Sequence, residues 1–155
     1  MPLKIIVDSR EKKDFFTFNS YKDVEVINTK LDTGDYSLLG FENRITIDRK
    51  RNTNELQMCF GQSWKRFQRE LERMTKFEEA YILCTFPREN LYIFPEKSGI
   101  PFSRWKKIRT CAKFLVKRYR GIEDVYRVKF IFCDSNYEAE QRTYEILRDF
   151  YDKQS

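Results

Sequence analysis

A chain of 155 residues is long enough to bury one core and short for two, and 41% hydrophobic and 16% aromatic residues exclude a disordered polymer. It contains no histidine, and its four cysteines, Cys59, Cys84, Cys111 and Cys133, form no Cys-x-x-Cys pair; this excludes common zinc sites and histidine-based triads and leaves reduced thiols. Thirty Lys and Arg against twenty-four Asp and Glu give +6, a balance that favours polyanionic partners.

Ile5-Ile6-Val7, ending at Asp8, reads as a buried first strand. The polar, aromatic stretch from Lys12 to Lys22 reads as a short helix, and Val24 to Asn28 as a second strand. Asp32-Thr33-Gly34-Asp35 is turn chemistry, after which Tyr36 to Leu39 and Arg44 to Asp48 make a hairpin around Gly40. Side chains alternate along a strand, so Asp48 and Lys50 share one face and Arg49 takes the other, while Asp35 can meet Asp48 from the neighbouring strand. Taken alone, this stretch reads either as a hairpin with solvated charges or as two carboxylates and a lysine gathered for metal-assisted phosphodiester chemistry.

Thr53 caps a short helix through Cys59, and a second helix from about Gln62 to Thr75 places Trp64, Phe67, Leu71 and Met74 on one face and Lys65, Arg66, Arg69 and Arg73 on the other. Ala80 to Phe86 suits a central strand buried on both sides, ended by Pro87. After an irregular stretch over 88–101, Ser103 opens a helix to Arg120, with Gly121 as its stop. From Lys97 to Ile122 there is no acidic residue, and Lys106, Arg109, Lys113, Lys117 and Arg120 fall on one stripe, a candidate phosphate-binding face that a solvated helix would also produce. Trp64 and Trp105 beside these cations suit either core packing or nucleic-acid contact. Val128 to Cys133 and Asn136 to Tyr151 close the chain as a strand and a helix. The order predicts one α/β domain with a mixed central sheet flanked by helices. No apolar run is long enough to cross a bilayer and the N-terminus lacks a signal pattern, so an intracellular protein is expected.

Val7-Asp8-Ser9-Arg10-Glu11, Gly34-Asp35-Tyr36 and Asp48-Arg49-Lys50, in that order and spacing, resemble the signature of the XPF/Hef structure-specific endonucleases. That family belongs to the PD-(D/E)xK superfamily with its restriction-endonuclease-like fold. The helix bearing Arg66-Phe67-Gln68-Arg69 and the strand Tyr81 to Cys84 fit the same pattern, extending the resemblance over about residues 4 to 150. The chain departs from the family at two places: Asp48 stands for a Glu, and Asn54 for the final Asp.

The resemblance implies a Mg²⁺-dependent endonuclease, with Mn²⁺ as a substitute, acting on flap, fork or other branched DNA in repair or recombination. Asp35 and Asp48 are then the metal ligands, with the Arg49 carbonyl as a third, and Lys50 a charged stabiliser. Asp8 and Glu11 belong to the rim of the site and reach the metal directly or through water; Arg10 pairs with a carboxylate or holds the scissile phosphate. Arg66, Gln68, Arg69, Lys106, Arg109, Lys113 and Lys117 are the candidate DNA contacts. Larger members carry a helicase or a helix-hairpin-helix domain, neither of which is expected in this single nuclease domain; members commonly dimerise through the nuclease domain, so reliance on its own basic helices, on a homodimer or on a separate accessory DNA-binding partner is what the resemblance implies. A neutral Asn54 leaves two other readings, a weakly active or inactive DNA-binding partner subunit and a sequence-specific, restriction-like nuclease.

Overall fold

The computed structural model describes residues 2–11 and 15–154. Strands β1 (Leu3–Asp8), β2 (Val24–Thr29), β3 (Tyr36–Leu38), β4 (Ile45–Lys50), β5 (Glu79–Cys84) and β6 (Lys129–Phe132) form one sheet in the order β2-β1-β3-β4-β5-β6. β3 runs antiparallel to both its neighbours, β1 and β4, and the remaining pairs are parallel, so the sheet is mixed as expected.

Alternation along the strands divides the core between two layers. Ile82 and Cys84 of β5 face helices α1 (Thr53–Phe60), α2 (Trp64–Met74) and, after the single turn α3 (Glu89–Tyr92), α4 (Ala112–Tyr126), packing with Leu56, Phe67, Leu71 and Leu115. Leu83 of β5 and Ile45 and Ile47 of β4 face α5 (Asn136–Lys153), packing with Leu147 and Phe150. On β4, Asp48 and Lys50 therefore lie on the α1/α2 side and Arg49 on the α5 side.

Several local expectations change. Of the helix expected over Lys12 to Lys22, residues 12–14 lie outside the described residues, and 15–22 is not helical. Phe16 and Phe18 instead pack around Tyr36, with Phe16 stacked on its ring at 5.1 Å. Helix α1 is capped by Asn52, whose side chain accepts from the Glu55 N–H, while Thr53 is buried in the first turn.

The helix expected from Ser103 to Arg120 is two elements, a 3₁₀ helix over Phe102–Lys107 and α4, separated by extended residues 108–111. Arg104, Lys106, Lys107 and Arg109 crowd like charges where a first turn favours acids, and none of 102–107 is buried to offset that. Gly121 does not stop α4, because Ile122 beyond it is buried in the core; the helix ends at Arg127, in the left-handed region at φ 58°.

Gly34 lets β3 approach β4. At φ 78° it favours glycine, and a Cβ there would lie 2.1 Å from Thr46 Oγ1 and 3.2 Å from the Ile47 carbonyl. Gly40, at φ 88°, has nothing within 4 Å of the same added atom. Gly34→Ala should therefore lower the unfolding free energy by about 2–4 kcal/mol, strain and clash together, and Gly40→Ala by only about 1–2 kcal/mol. Urea denaturation of both variants checks this, and equal losses would contradict it.

Candidate active site

The backbone fixes Asp35 before its side chain does anything. Its N–H donates to the Ile47 carbonyl at 2.8 Å, and its own carbonyl accepts from the Asp8 N–H at 2.8 Å, so the residue is tied to β4 and β1 together. Its carboxylate Oδ2 accepts from the Arg49 N–H at 2.7 Å. That places the Asp35 carboxyl in side-chain contact with Asp48.

Burial, then the neighbouring Asp48 charge, push the Asp35 carboxyl well above the usual carboxylate range, and the Arg49 N–H offsets only part of this. Asp48 is itself buried, and its Oδ2 lies 3.1 Å from Lys50 Nζ without a well-directed hydrogen bond. Burial works to neutralise the Lys50 ammonium, but Asp48, Cys59 and Glu70 outweigh it and hold its pKa above the ordinary lysine value. Lys50 also sits over the Phe67 ring, 5.4 Å from its centroid. With no cation on Asp48, it is positively charged across the physiological range.

A cavity of about 320 Å³ opens over this pair, lined by Asp8, Arg10, Asp32, Gly34, Asp35, Asp48, Arg66, Glu70 and Arg73. Arg66, Glu70 and Arg73 come from one face of α2, and Glu70 is raised by burial and then by Asp48. Asp32, Glu70 and Arg73 were not singled out as site residues; the available signal was the spacing of Glu70 and Arg73 four and seven residues after Arg66.

The other candidates separate. Asp8 is fully engaged, accepting from the Leu31 N–H at 2.9 Å and pairing with Arg10 Nε at 3.0 Å, while Arg10 also donates to the Leu31 carbonyl; together they pin the loop leading to Asp35. Glu11 stands apart from the cavity lining. Tyr36 Oη donates to it at 2.7 Å, Arg51 at 2.9 Å, and Arg49 Nη1 lies 3.8 Å away, so both of its oxygens are engaged. Arg49 is 2% exposed, on the opposite face from Asp48, with its guanidinium 4.1 Å from the Phe16 ring centroid. Its side chain anchors α5 through Asn136, and only its backbone N–H serves Asp35.

Gln68 turns from the cavity towards Tyr126 of α4, and Arg69 lines a neighbouring surface hollow with Arg66. Asn54 also lies outside the cavity: its Oδ1 accepts from Gln57 Nε2 at 2.9 Å, along a separate groove. Because α1 turns Thr53, Leu56 and Phe60 inward, residue 54 faces away from the core. The expected stripe of Lys106, Arg109, Lys113 and Lys117 is broken with its helix. Arg109 lines that groove, Lys117 lines a cleft beside Trp64, and Lys106 and Lys113 are exposed outside both. Trp64 is half-buried against the core, with the Arg118 guanidinium 3.8 Å over its ring.

Two solved structures share this architecture. XPF from Aeropyrum pernix in complex with DNA superposes with a TM-score of 0.68 at 17% identity, covering 97% of this chain and 66% of the archaeal one. XPF from the same organism, described without DNA, gives 0.66 at 18% identity, over 94% and 63%. The chain shares its fold with XPF. It thus has the restriction-endonuclease-like arrangement expected, and spans about two thirds of the archaeal chains' length. Neither a protein-family model nor a curated protein sequence matches it.

On this XPF fold, a hard cation fits the donors present. Asp48 Oδ2 is a buried oxygen lacking a hydrogen bond, and Asp35 beside it is disfavoured as an anion, so positive charge between them relieves both. Among the described residues no group of three or more acidic, thiol or imidazole side chains is placed to hold a metal ion, so the protein share of such a site is limited to the Asp35 and Asp48 pair.

The sign of the pH dependence follows. Asp35 and Glu70 have folded-state values above their unfolded ones, so the folded chain retains protons that the unfolded chain has lost. Metal-free stability should fall as pH rises from about 4 through the raised folded values. Asp35→Asn should flatten that fall, and added Mg²⁺ should reduce it in the parent chain, as any ligand of the folded state would. Thermal melts across pH with and without Mg²⁺ read this directly, and a stability that rises over that interval would contradict it.

Proposed function

We propose that the chain is a Mg²⁺-dependent DNA endonuclease that hydrolyses phosphodiester bonds in branched, flapped or forked DNA. The observation that carries this reading is the contact between Asp35 and Asp48, with Lys50 ion-paired to Asp48 and Arg66 and Arg73 across the cavity, on the XPF fold.

A phosphodiester repels an incoming nucleophile and gathers charge on its non-bridging and leaving oxygens during hydrolysis. Asp35 and Asp48 would hold the cation, with the Arg49 carbonyl completing the protein share; once bound, it neutralises phosphoryl charge and acidifies the attacking water. The Arg49 N–H keeps Asp35 turned towards Asp48. Lys50, beside Asp48, meets developing charge at the phosphoryl group. Arg66 and Arg73, both exposed on the cavity side of α2, receive phosphates of the bound strand. Asn54, the residue that favours the alternative of an inactive partner subunit, lines a separate groove and not the cavity over Asp35 and Asp48, which supports the active reading.

Purified protein with labelled linear, flapped and forked DNA provides the test. Cleavage in Mg²⁺ or Mn²⁺ is expected, lost with a chelator. Lys50→Ala should lower kcat by about 10²–10³-fold, and Asp35→Ala and Asp48→Ala by at least that, with DNA binding retained. Absence of cleavage on every substrate, at concentrations that bind DNA, would overturn the proposal.

A further inference from the structure

The cavity over Asp35 and Asp48 does not end at α2. Arg66 is shared with a hollow along the start of that helix, and that hollow shares Gly61 and Gln62, at the α1–α2 turn, with a groove of about 1070 Å³ between α1 and residues 99–110. Charge changes sign along this path. The carboxylates cluster at one end, while the hollow carries Lys65, Arg66 and Arg69 and the groove Arg104, Lys107 and Arg109, with no acidic residue lining either. The groove wall is a connected neutral network: Thr110 Oγ1 donates to Gln57 Oε1, and Gln57 Nε2 to Asn54 Oδ1.

Next in the chain to Pro101, which lines the groove, stands an exposed aromatic ring, Phe102, itself outside the lining. Pro101, Arg104 and Lys107 recur every third residue of the 3₁₀ helix, and so share the face that lines the groove. Phe102 and Trp105 occupy the adjacent face. Phe102 is 78% exposed yet fixed, packed edge-on against Trp105 at 4.8 Å, whose indole N–H donates to the Ile100 carbonyl at 2.9 Å. Single exposed apolar residues are ordinary. An exposed ring beside an acid-free cationic track is an arrangement that binds single strands, the cations following phosphates and the ring stacking on any base. Interior base pairs of a duplex, stacked on both sides, offer it no free face.

We infer that an unpaired DNA arm runs from the carboxylate pair over the α1–α2 turn along this groove, and that Phe102, beside the groove's Pro101 and Arg104 wall, stacks on one of its bases. This rests on the nuclease reading for the strand's starting point and extends it to the substrate's single-stranded arm. It also gives Asn54 a role: an aspartate there would set a negative charge beside the phosphates.

Binding separates this inference from catalysis. In an Asp48→Asn background, fluorescence anisotropy compares a flapped duplex with a blunt duplex of the same sequence. Phe102→Ala should weaken flap binding by about 5- to 100-fold, leaving blunt-duplex binding within about twofold, and Phe102→Tyr should restore it. 5-Iodouracil in the arm should photocrosslink to Phe102, and Asn54→Asp should weaken flap binding selectively. Equal affinities for Phe102→Ala and its parent, equal losses on both DNAs, no crosslink at Phe102, or no DNA binding would overturn the inference. So would Asn54→Asp that raises Mg²⁺-dependent cleavage in the otherwise native chain without weakening binding, the behaviour of a metal ligand. Cleavage without any Phe102 dependence sinks the inference alone; Phe102-dependent arm binding without cleavage sinks the nuclease reading alone.

Discussion

Asp35 and Asp48 carry like charges in side-chain contact at a largely buried site, an arrangement that is unfavourable unless something offsets it. The offsets present within the chain are partial: one backbone N–H on Asp35, one ammonium beside Asp48, and arginines across the cavity. A protein that needed only stability would replace one carboxylate with an amide. The sheet instead enforces the approach through Gly34, whose missing side chain lets the Asp35 segment lie against Thr46 and Ile47.

The opposite face of β4 supports this arrangement. Arg49 is buried among Phe16, Asn136 and Glu11, and Glu11 is held in turn by Tyr36 and Arg51. A buried cation with these partners fixes β4 against α5, and its backbone N–H then has one position from which to orient Asp35. The segment around residue 10 acts similarly through Asp8, which ties down Leu31 ahead of the turn. Residues that read as a run of catalytic charges divide between those facing the cavity and those holding its walls.

Strand alternation made Asp48, Arg49 and Lys50 legible in the sequence, because period two is fixed once a strand is recognised. Gly34-Asp35 was legible as a turn and meets Asp48 as expected. The settings of Asn54 and Glu11 were not, since each depends on where the chain goes immediately after or before a strand. Glu70 is not distinguishable in sequence from the charged residues around it on α2; what sets it apart is which strand the helix packs against, a long-range fact. The break at 108–111 was hidden because Trp105 and Ile108 continue the apolar spacing of α4 while folding on a separate segment. Spacing alone could not show that breaking the helix would place Arg104, Lys107 and Arg109 along one groove.

The account stands or falls on whether the Asp35–Asp48 pair is a cation site. Crystals grown with Mn²⁺, measured at the manganese absorption edge, locate the ion without assumptions about substrate. The account predicts an anomalous peak bonded to carboxylate oxygens of both Asp35 and Asp48 at roughly 2.1 Å, absent in crystals of Asp48→Asn. A peak elsewhere with this pair empty, or no ordered ion at saturating Mn²⁺, would contradict it.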